Sequence, residues 1–246
     1  MNSLERLIGI LDIFEEEPGI FTAEQLHERL GYTRSTLYRY LKTLADAGLL
    51  TSFHGEGFML GPRVIELHAA MMKRDPLILS SRPVMQMLSR QFKGVSLLCR
   101  RFRDKVLCVH QEAVNDDMPT CYQIGMPRSL VHGAASRVIL ANLGPSHVRR
   151  IYDDHAQAFS AAGIGEDLLN VRRHLRRIRE RGYDIGSGEV NGGITAIAAP
   201  VLDGGANVIG SLCISVPQAK VPADQITAIA EEVMQAAEAV GHAIAA

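Results

Sequence analysis

Thr33-Arg34-Ser35-Thr36-Leu37-Tyr38-Arg39-Tyr40-Leu41-Lys42-Thr43-Leu44 decides how the amino-terminal part folds. Wound as a helix, it places Leu37, Tyr40, Leu41 and Leu44 on one apolar stripe. The remaining face carries Arg34, Ser35, Thr36, Tyr38, Arg39 and Lys42, with no acid before Asp46. Hydroxyls and cations gathered on one exposed face suit contact with phosphates and base edges. Upstream, Thr22 is placed to cap a short helix over 23–30, with Leu26 and Leu30 inward. Gly31 then supplies a tight turn before Thr33 caps the next helix. The expected motif is a helix-turn-helix whose second helix reads a groove. Residues 49–53 and 58–60 read as strands around a turn at His54–Gly57, the pattern of a wing. A first helix is expected over 4–16, its apolar side formed by Leu4, Leu7, Ile8, Leu11 and Phe14, ending at Glu17-Pro18-Gly19.

The chain has 246 residues, enough for two cores. With 47% hydrophobic and 22% charged residues, it has the composition of a folded protein rather than a disordered one. No apolar run reaches the ~20 residues of a membrane span, and the acidic opening lacks the features of a signal peptide. Cys99, Cys108, Cys121 and Cys213 lie far apart without a CxxC pair, which reads as reduced thiols of a cytoplasmic protein. The net charge of −1 is not that of a generally basic nucleic-acid binder. Binding follows the few cations that meet phosphates, and the acids of 1–62 cluster outside the 33–44 helix.

Further along, 63–73 is expected as a connecting helix with Val64, Leu67, Ala70 and Met71 as its apolar edge, followed by a hinge at Arg74-Asp75-Pro76. Beyond it the pattern predicts a helix over 80–92 and strands over 95–101, 105–111 and 120–124. Helices over 134–143, 146–156 and 166–181 follow. Strands over 194–202 and 208–215, joined by Asp203-Gly204-Gly205, precede a last helix over 222–245. Strands in hairpin pairs imply an α+β domain with an antiparallel sheet flanked by helices. The expected division is 1–62 for the winged helix-turn-helix, 63–79 for the linker helix and hinge, and 80–246 for the second domain.

Five blocks in this order resemble the IclR family of bacterial transcriptional regulators over essentially the whole length. They are SLERLIGILDIF from Ser3, TRSTLYRYLKTLADAGLL from Thr33 with FMLGPRVIEL from Phe58, SLVHGAASRVILANL from Ser129, RERGYDIG from Arg179, and ITAIAAPVLD with IGSLCISVP from Ile194 and Ile209. The resemblance implies a GAF-like effector domain behind the winged helix. It further implies a homodimer or dimer of dimers on double-stranded operator DNA, and a small-molecule effector such as an organic acid or aromatic catabolite. It brings no catalytic activity and no cofactor.

Thr33, Arg34, Ser35, Thr36, Tyr38, Arg39 and Lys42 are the expected DNA-binding residues. Arg34 and Arg39 suit guanine edges, Lys42 suits backbone phosphate, and one of Tyr38 and Tyr40 is expected to pack beneath the helix. For the effector, the resemblance points to His132, Gly133, Ala134 and Ala135, where backbone amides at a helix start would hold a carboxylate. It also points to Ile194, Ala196, Cys213 and Ser215 on two neighbouring strands. Gly186 and Ala196 stand where the family often has an acid and a cysteine, which favours a larger or more apolar ligand. Met118, Tyr122 and Met126 are expected to form a flexible apolar lid. An alternative is a redox or soft-metal sensor using Cys108, Cys121 and Cys213, with His110 two residues from Cys108 on one strand. No metal site is otherwise expected. The arginines at 172, 173, 176, 177, 179 and 181 read as the solvated face of their helix. No Ser-His-Asp motif, nucleophile elbow, Walker loop or HExxH appears, so no enzyme is expected.

Overall fold

A computed structural model describes residues 2–53, 55–114, 123–190 and 192–245. His54, Met118, Cys121 and Tyr122 therefore lie outside the described residues. The chain divides into two compact units, residues 1–74 and 75–246.

In the first unit α1 (Ser3–Glu16), α2 (Ala23–Leu30) and α3 (Arg34–Asp46) precede the hairpin of β1 (Leu50–Phe53) and β2 (Gly57–Leu60), and α4 (Arg63–Arg74) follows. The starts of α1, α2 and α3 are each fixed by a side chain. Asn2 and Thr22 close reciprocal capping boxes with Glu5 and Gln25, and Thr33 accepts from the Thr36 amide. Gly31 ends α2 at φ +63°, a conformation that costs glycine little. The core gathers Ile10, Ile13, Phe14, Leu26, Leu37, Tyr40, Leu41, Leu44 and Leu50. This rotates α1 from the expected stripe: Ile10, Ile13 and Phe14 are buried, whereas Leu4 and Ile8 are exposed. Phe21 and Phe58 exchange backbone hydrogen bonds of 3.0 and 2.8 Å, so the wing hairpin is stitched to the segment before α2.

The second unit is α+β. Its six-stranded sheet runs β5-β4-β3-β8-β7-β6, antiparallel at every step. The strands are β3 (Val95–Phe102), β4 (Lys105–Ala113), β5 (Pro127–Ser129), β6 (Asp184–Ser187), β7 (Ile194–Leu202) and β8 (Val208–Pro217). The helices are α5 (Pro76–Phe92), α6 (Ala134–Ala141), α7 (Pro145–Ala161), α8 (Leu168–Arg181) and α9 (Ile226–Ala245). One sheet face, with Val95, Leu97, Cys99, Cys108, Ala198 and Cys213, packs on α6 to α8. The other is covered by α5 and α9.

Several elements differ from expectation for identifiable reasons. α5 begins at Pro76 rather than 80 because Asp75 caps it, accepting from the Leu77 amide at 2.9 Å. α7 runs on to Ala161 through a break at His155. Of the expected strand over 120–124, the described part contributes only an isolated bridge between Ile124 and Cys108. The edge strand beside β4 is β5 instead. β6 is an addition, recruited by pairing with β7, and the last helix is preceded by a short 3-10 turn at Ala223–Gln225.

Candidate nucleic-acid interface and effector pocket

The outer face of α3 is open. Thr33, Arg34, Ser35, Tyr38, Arg39 and Lys42 are exposed and Thr36 is half-buried. The Thr33 hydroxyl donates to the Thr36 hydroxyl at 2.9 Å, lying 3.4 Å from Ser35, so three hydroxyls crowd the first turn. There the unsatisfied amides and the helix dipole favour a phosphate. Tyr40 is the tyrosine beneath the helix: it is buried, meets Tyr32 edge-on, and its hydroxyl lies 2.7 Å from that of Ser3. The Arg39 guanidinium sits over the Tyr40 ring at 5.4 Å, which orients it without a carboxylate. Arg34 has one acid near, Glu24 at 4.0 Å, an exposed pair too long to hold it. Thr43 joins the same face, exposed and one turn after Arg39, whose carbonyl its hydroxyl bonds at 3.0 Å. The four-residue spacing from Arg39 was the available signal for it.

In the second unit, the strand residues expected at the effector pocket come together. Gly186 pairs with Ala196, Ala196 with Ser215 and Ser215 with Val95, one row across four strands. Cys213 is one step along the same face, opposite Ala198, and is buried in the core, whereas Ile194, Ala196 and Ser215 are half-buried. Gly133 caps α6, and Ala134 and Ala135 form its first turn. α6 approaches Gly186 closely: a methyl there would lie 3.4 Å from the Ala134 amide, in ordinary contact, and 3.1 Å from Glu189 Oε1, which would have to shift slightly. His132 reaches the Glu189 carbonyl at 3.0 Å. Met126 is exposed beyond β4.

An ionic cluster absent from the sequence reading stands at this helix start. Arg137, buried on α6, donates to Asp184 at 2.5 Å, to the Ile185 carbonyl at 3.0 Å and to both carboxylate oxygens of Glu189. Arg181 bonds the other Asp184 oxygen at 2.8 Å. Burial pushes the Glu189 carboxyl up, but the Arg137 hydrogen bonds and charge outweigh it and hold Glu189 below its ordinary value. Arg137 is likewise disfavoured by burial, yet raised on balance by Glu189 and Asp184. A lone arginine at the head of the apolar run Val138-Ile139-Leu140-Ala141 was the signal, since a buried cation demands acids.

The cysteines do not form the expected arrangement. A β-bulge in the β3–β4 ladder sets Cys108 opposite Cys99 and His110 opposite Leu98, so Cys108 and His110 face opposite sides of the sheet. Cys108 instead stands opposite Cys99, with Cys213 in the same core cluster, and its thiol donates to the His110 carbonyl at 3.3 Å. All three are buried free thiols. Burial pushes Cys213 up to about 12, and Cys99 is raised by its interaction with Cys108 and by burial. Cys108 is instead lowered, because its interaction with Cys99 outweighs burial, but like the other two it is shut away from water and from any reactant. Among the described residues no group of three His, Cys, Asp or Glu side chains converges as a metal site. Among them, too, no helix is long and apolar enough to cross a membrane.

Residues 69–242 match the family model described as the bacterial transcriptional regulator IclR C-terminal domain, and residues 3–52 match the IclR helix-turn-helix domain. The chain belongs to the IclR family. It is similar to the HTH-type transcriptional regulator KdgR of Escherichia coli, with 29% identity over 221 residues, covering 88% of this chain and 82% of that protein. Its fold is that of the IclR transcriptional regulator from Alicyclobacillus acidocaldarius, with TM-score 0.80, 22% identity and 98% of each chain covered. The fold also matches an IclR homologue of Microbacterium hydrocarbonoxydans solved with 4-hydroxybenzoate, with TM-score 0.75, 18% identity and 99% of each chain covered. This IclR-family chain is thus a transcriptional regulator with a helix-turn-helix DNA-binding domain.

Proposed function

We propose that this regulator binds operator DNA through Thr33, Arg34, Ser35, Thr36, Tyr38, Arg39 and Lys42, and answers to a small metabolite in the domain over 80–246. The observation that carries the DNA reading is the outer face of α3: exposed hydroxyls and cations whose one carboxylate neighbour among the described residues, Glu24, is 4.0 Å from Arg34. The effector pocket is framed by His132, Gly133, Ala134 and Ala135 at the start of α6, the row Gly186, Ala196 and Ser215, and Ile194 and Cys213 beside it. Gly186 and Ala196, in place of an acid and a cysteine, favour an aromatic or other apolar body, in keeping with the 4-hydroxybenzoate bound by the Microbacterium homologue.

The working species is a homodimer or dimer of dimers. Its support is α4, which has no buried residue and exposes Val64, Ile65, Leu67 and Met71, and α1, where Leu4 is 74% exposed. Apolar faces of this extent call for a partner. Residues 63–79 then join the reading heads to the effector domains. Ligand acts by binding one arrangement of the heads better than another; equal affinity for both would shift nothing. The test is fluorescence anisotropy of the full chain on DNA from its own promoter region, against random duplex at moderate salt, with and without aromatic metabolites. Affinity for promoter and random DNA that is equal under every condition would refute the reading.

A further inference from the structure

We propose that the outer face of α8 is a docking surface for an acidic, amphipathic helix of another protein. An apolar side chain of that helix enters the cleft beside Leu175, and its carboxylates meet Arg172, Arg176 and Arg179. The cleft lies at the end of α6 opposite the effector pocket, and its occupation depends on neither the DNA nor the effector reading above.

Folding uses only the inner side of α8, where Val171, Leu175 and Ile178 are buried. Arg172, Arg176 and Arg179 are exposed and, among the described residues, have no ion-pair partner, whereas Arg149 and Arg150 on α7 and Arg181 at the end of α8 each have one. The helix dipole favours cations in the last turn, which accounts for Arg179 and Arg181 but not for Arg172 and Arg176. Like charges four residues apart repel, so this row weakens α8 until a partner brings the opposite charge.

The neighbouring cleft separates this face from a merely solvated one. Ala141, Leu143, Pro145, Val148 and Leu175 form an apolar hollow of about 230 Å³ with the three arginines beside it. An apolar pocket flanked by arginine is the anatomy of a docking hot spot. Leu169, 67% exposed, stands three residues before Arg172 on the same side of the helix and prolongs the apolar strip. The arginines span about 10 Å at the rise of a helix, a length matched by carboxylates spaced alike on a second helix laid against the first. A small anion needs neither that length nor Leu169, and a nucleic-acid backbone would leave the hollow unfilled.

The probe is a fluorescein-labelled helical peptide of about 18 residues, with leucine along one face and glutamate elsewhere, titrated with the full chain in moderate salt and read by anisotropy. It should bind saturably, and both a scrambled peptide of the same composition and a version with glutamine for glutamate should bind at least about tenfold more weakly. Replacing the three arginines together, in Arg172→Gln with Arg176→Gln and Arg179→Gln, should weaken the peptide about tenfold or more, as three exposed ion pairs are lost, with the melting temperature unchanged. Leu169→Gln should cost about two- to fivefold. Should the triple variant misfold, Arg176→Gln alone is read, with about a two- to threefold loss expected. A peptide that does not bind, a scrambled one that binds equally, or a triple variant of undiminished affinity overturns the proposal. So does random duplex that displaces the peptide from the wild type, which would make the face a nucleic-acid surface. A triple variant whose assembly falls apart in sedimentation also overturns it, since a second copy would then cover the face.

Discussion

Replacing Arg137 by Met removes the cation at the centre of the α6 cluster while keeping most of its apolar stem. The guanidinium is about 93% buried and loses bonds to Asp184, Ile185 and Glu189. Breaking a buried pair by deleting one partner costs about 3–5 kcal/mol, chiefly because the other charge is stranded. Here the stranding is incomplete. Asp184 keeps Arg181 at 2.8 Å, and Glu189 can turn towards water. The expected cost is therefore at the lower end, about 3 kcal/mol, or a fall of roughly 6–12 °C in the melting of the second unit. Calorimetry of the full chain reads it directly. Neutralising the acids as well, in Arg137→Met with Asp184→Asn and Glu189→Gln, should recover most of the loss, since no charge then remains buried. The pH dependence has a definite sign. Glu189 titrates below its ordinary 4.5 in the folded chain, so its contribution is complete above that value and vanishes as pH falls through the folded pKa. The gap between wild type and Arg137→Met should thus narrow below about pH 4.5. A cost under about 1 kcal/mol at neutral pH would refute this account, because it would mean that water screens the cluster.

Arg39→Ala should weaken operator binding by about 1–3 kcal/mol per reading head if the guanidinium meets a base edge, and leave effector binding and melting nearly unchanged. Equal losses of DNA and effector binding would refute the division of labour. Lys42→Ala should instead lower the dependence of affinity on salt, by a slope of ~0.9 per lost phosphate contact, with similar losses on all sequences; titrations at several salt concentrations separate the two. Leu41→Ala, at a position 1% exposed beneath α3, should destabilise the first unit by about 2–5 kcal/mol, measured by urea denaturation. Cys99, Cys108 and Cys213 should resist a maleimide in the native chain at pH 8 and react once it is unfolded, as peptide mass spectrometry would reveal. Because folding raises the Cys213 pKa to about 12, the stability tied to its neutral form is intact below the unfolded value and declines from about pH 9 upward.

The helix-turn-helix was legible because its determinants are local. Thr22, Gly31 and Thr33 set two starts and a turn within a dozen residues, and the stripe Leu37, Tyr40, Leu41 and Leu44 is buried as its spacing required. That the strand residues proposed for the effector share a face was readable for a similar reason: a period of two keeps Ala196 with Ala198, and Cys213 with Ser215, on one side of the sheet. What escaped was set by distant partners. The inner side of α1 is chosen by α3 and the wing, so Leu4 and Ile8 turn outward although their spacing looked right. The bulge that parts Cys108 from His110 arises from pairing with β3 and leaves no mark in the β4 sequence alone. Arg137 finds Asp184 and Glu189 from a later stretch of chain, and only the oddity of a cation among aliphatic residues hinted at them.

The place of β8 in the sheet bears on how the protein is made. This strand is made after the other five of its sheet, yet it lies at the centre, pairing with β3 on one side and β7 on the other. Until Ser215 reaches Val95, the nascent chain carries two unfinished half-sheets, each with an open apolar flank able to pair with a neighbouring polypeptide. A premature stop before Val208 would therefore yield not a smaller second unit but a sticky fragment, joined to a helix-turn-helix unit that is already complete.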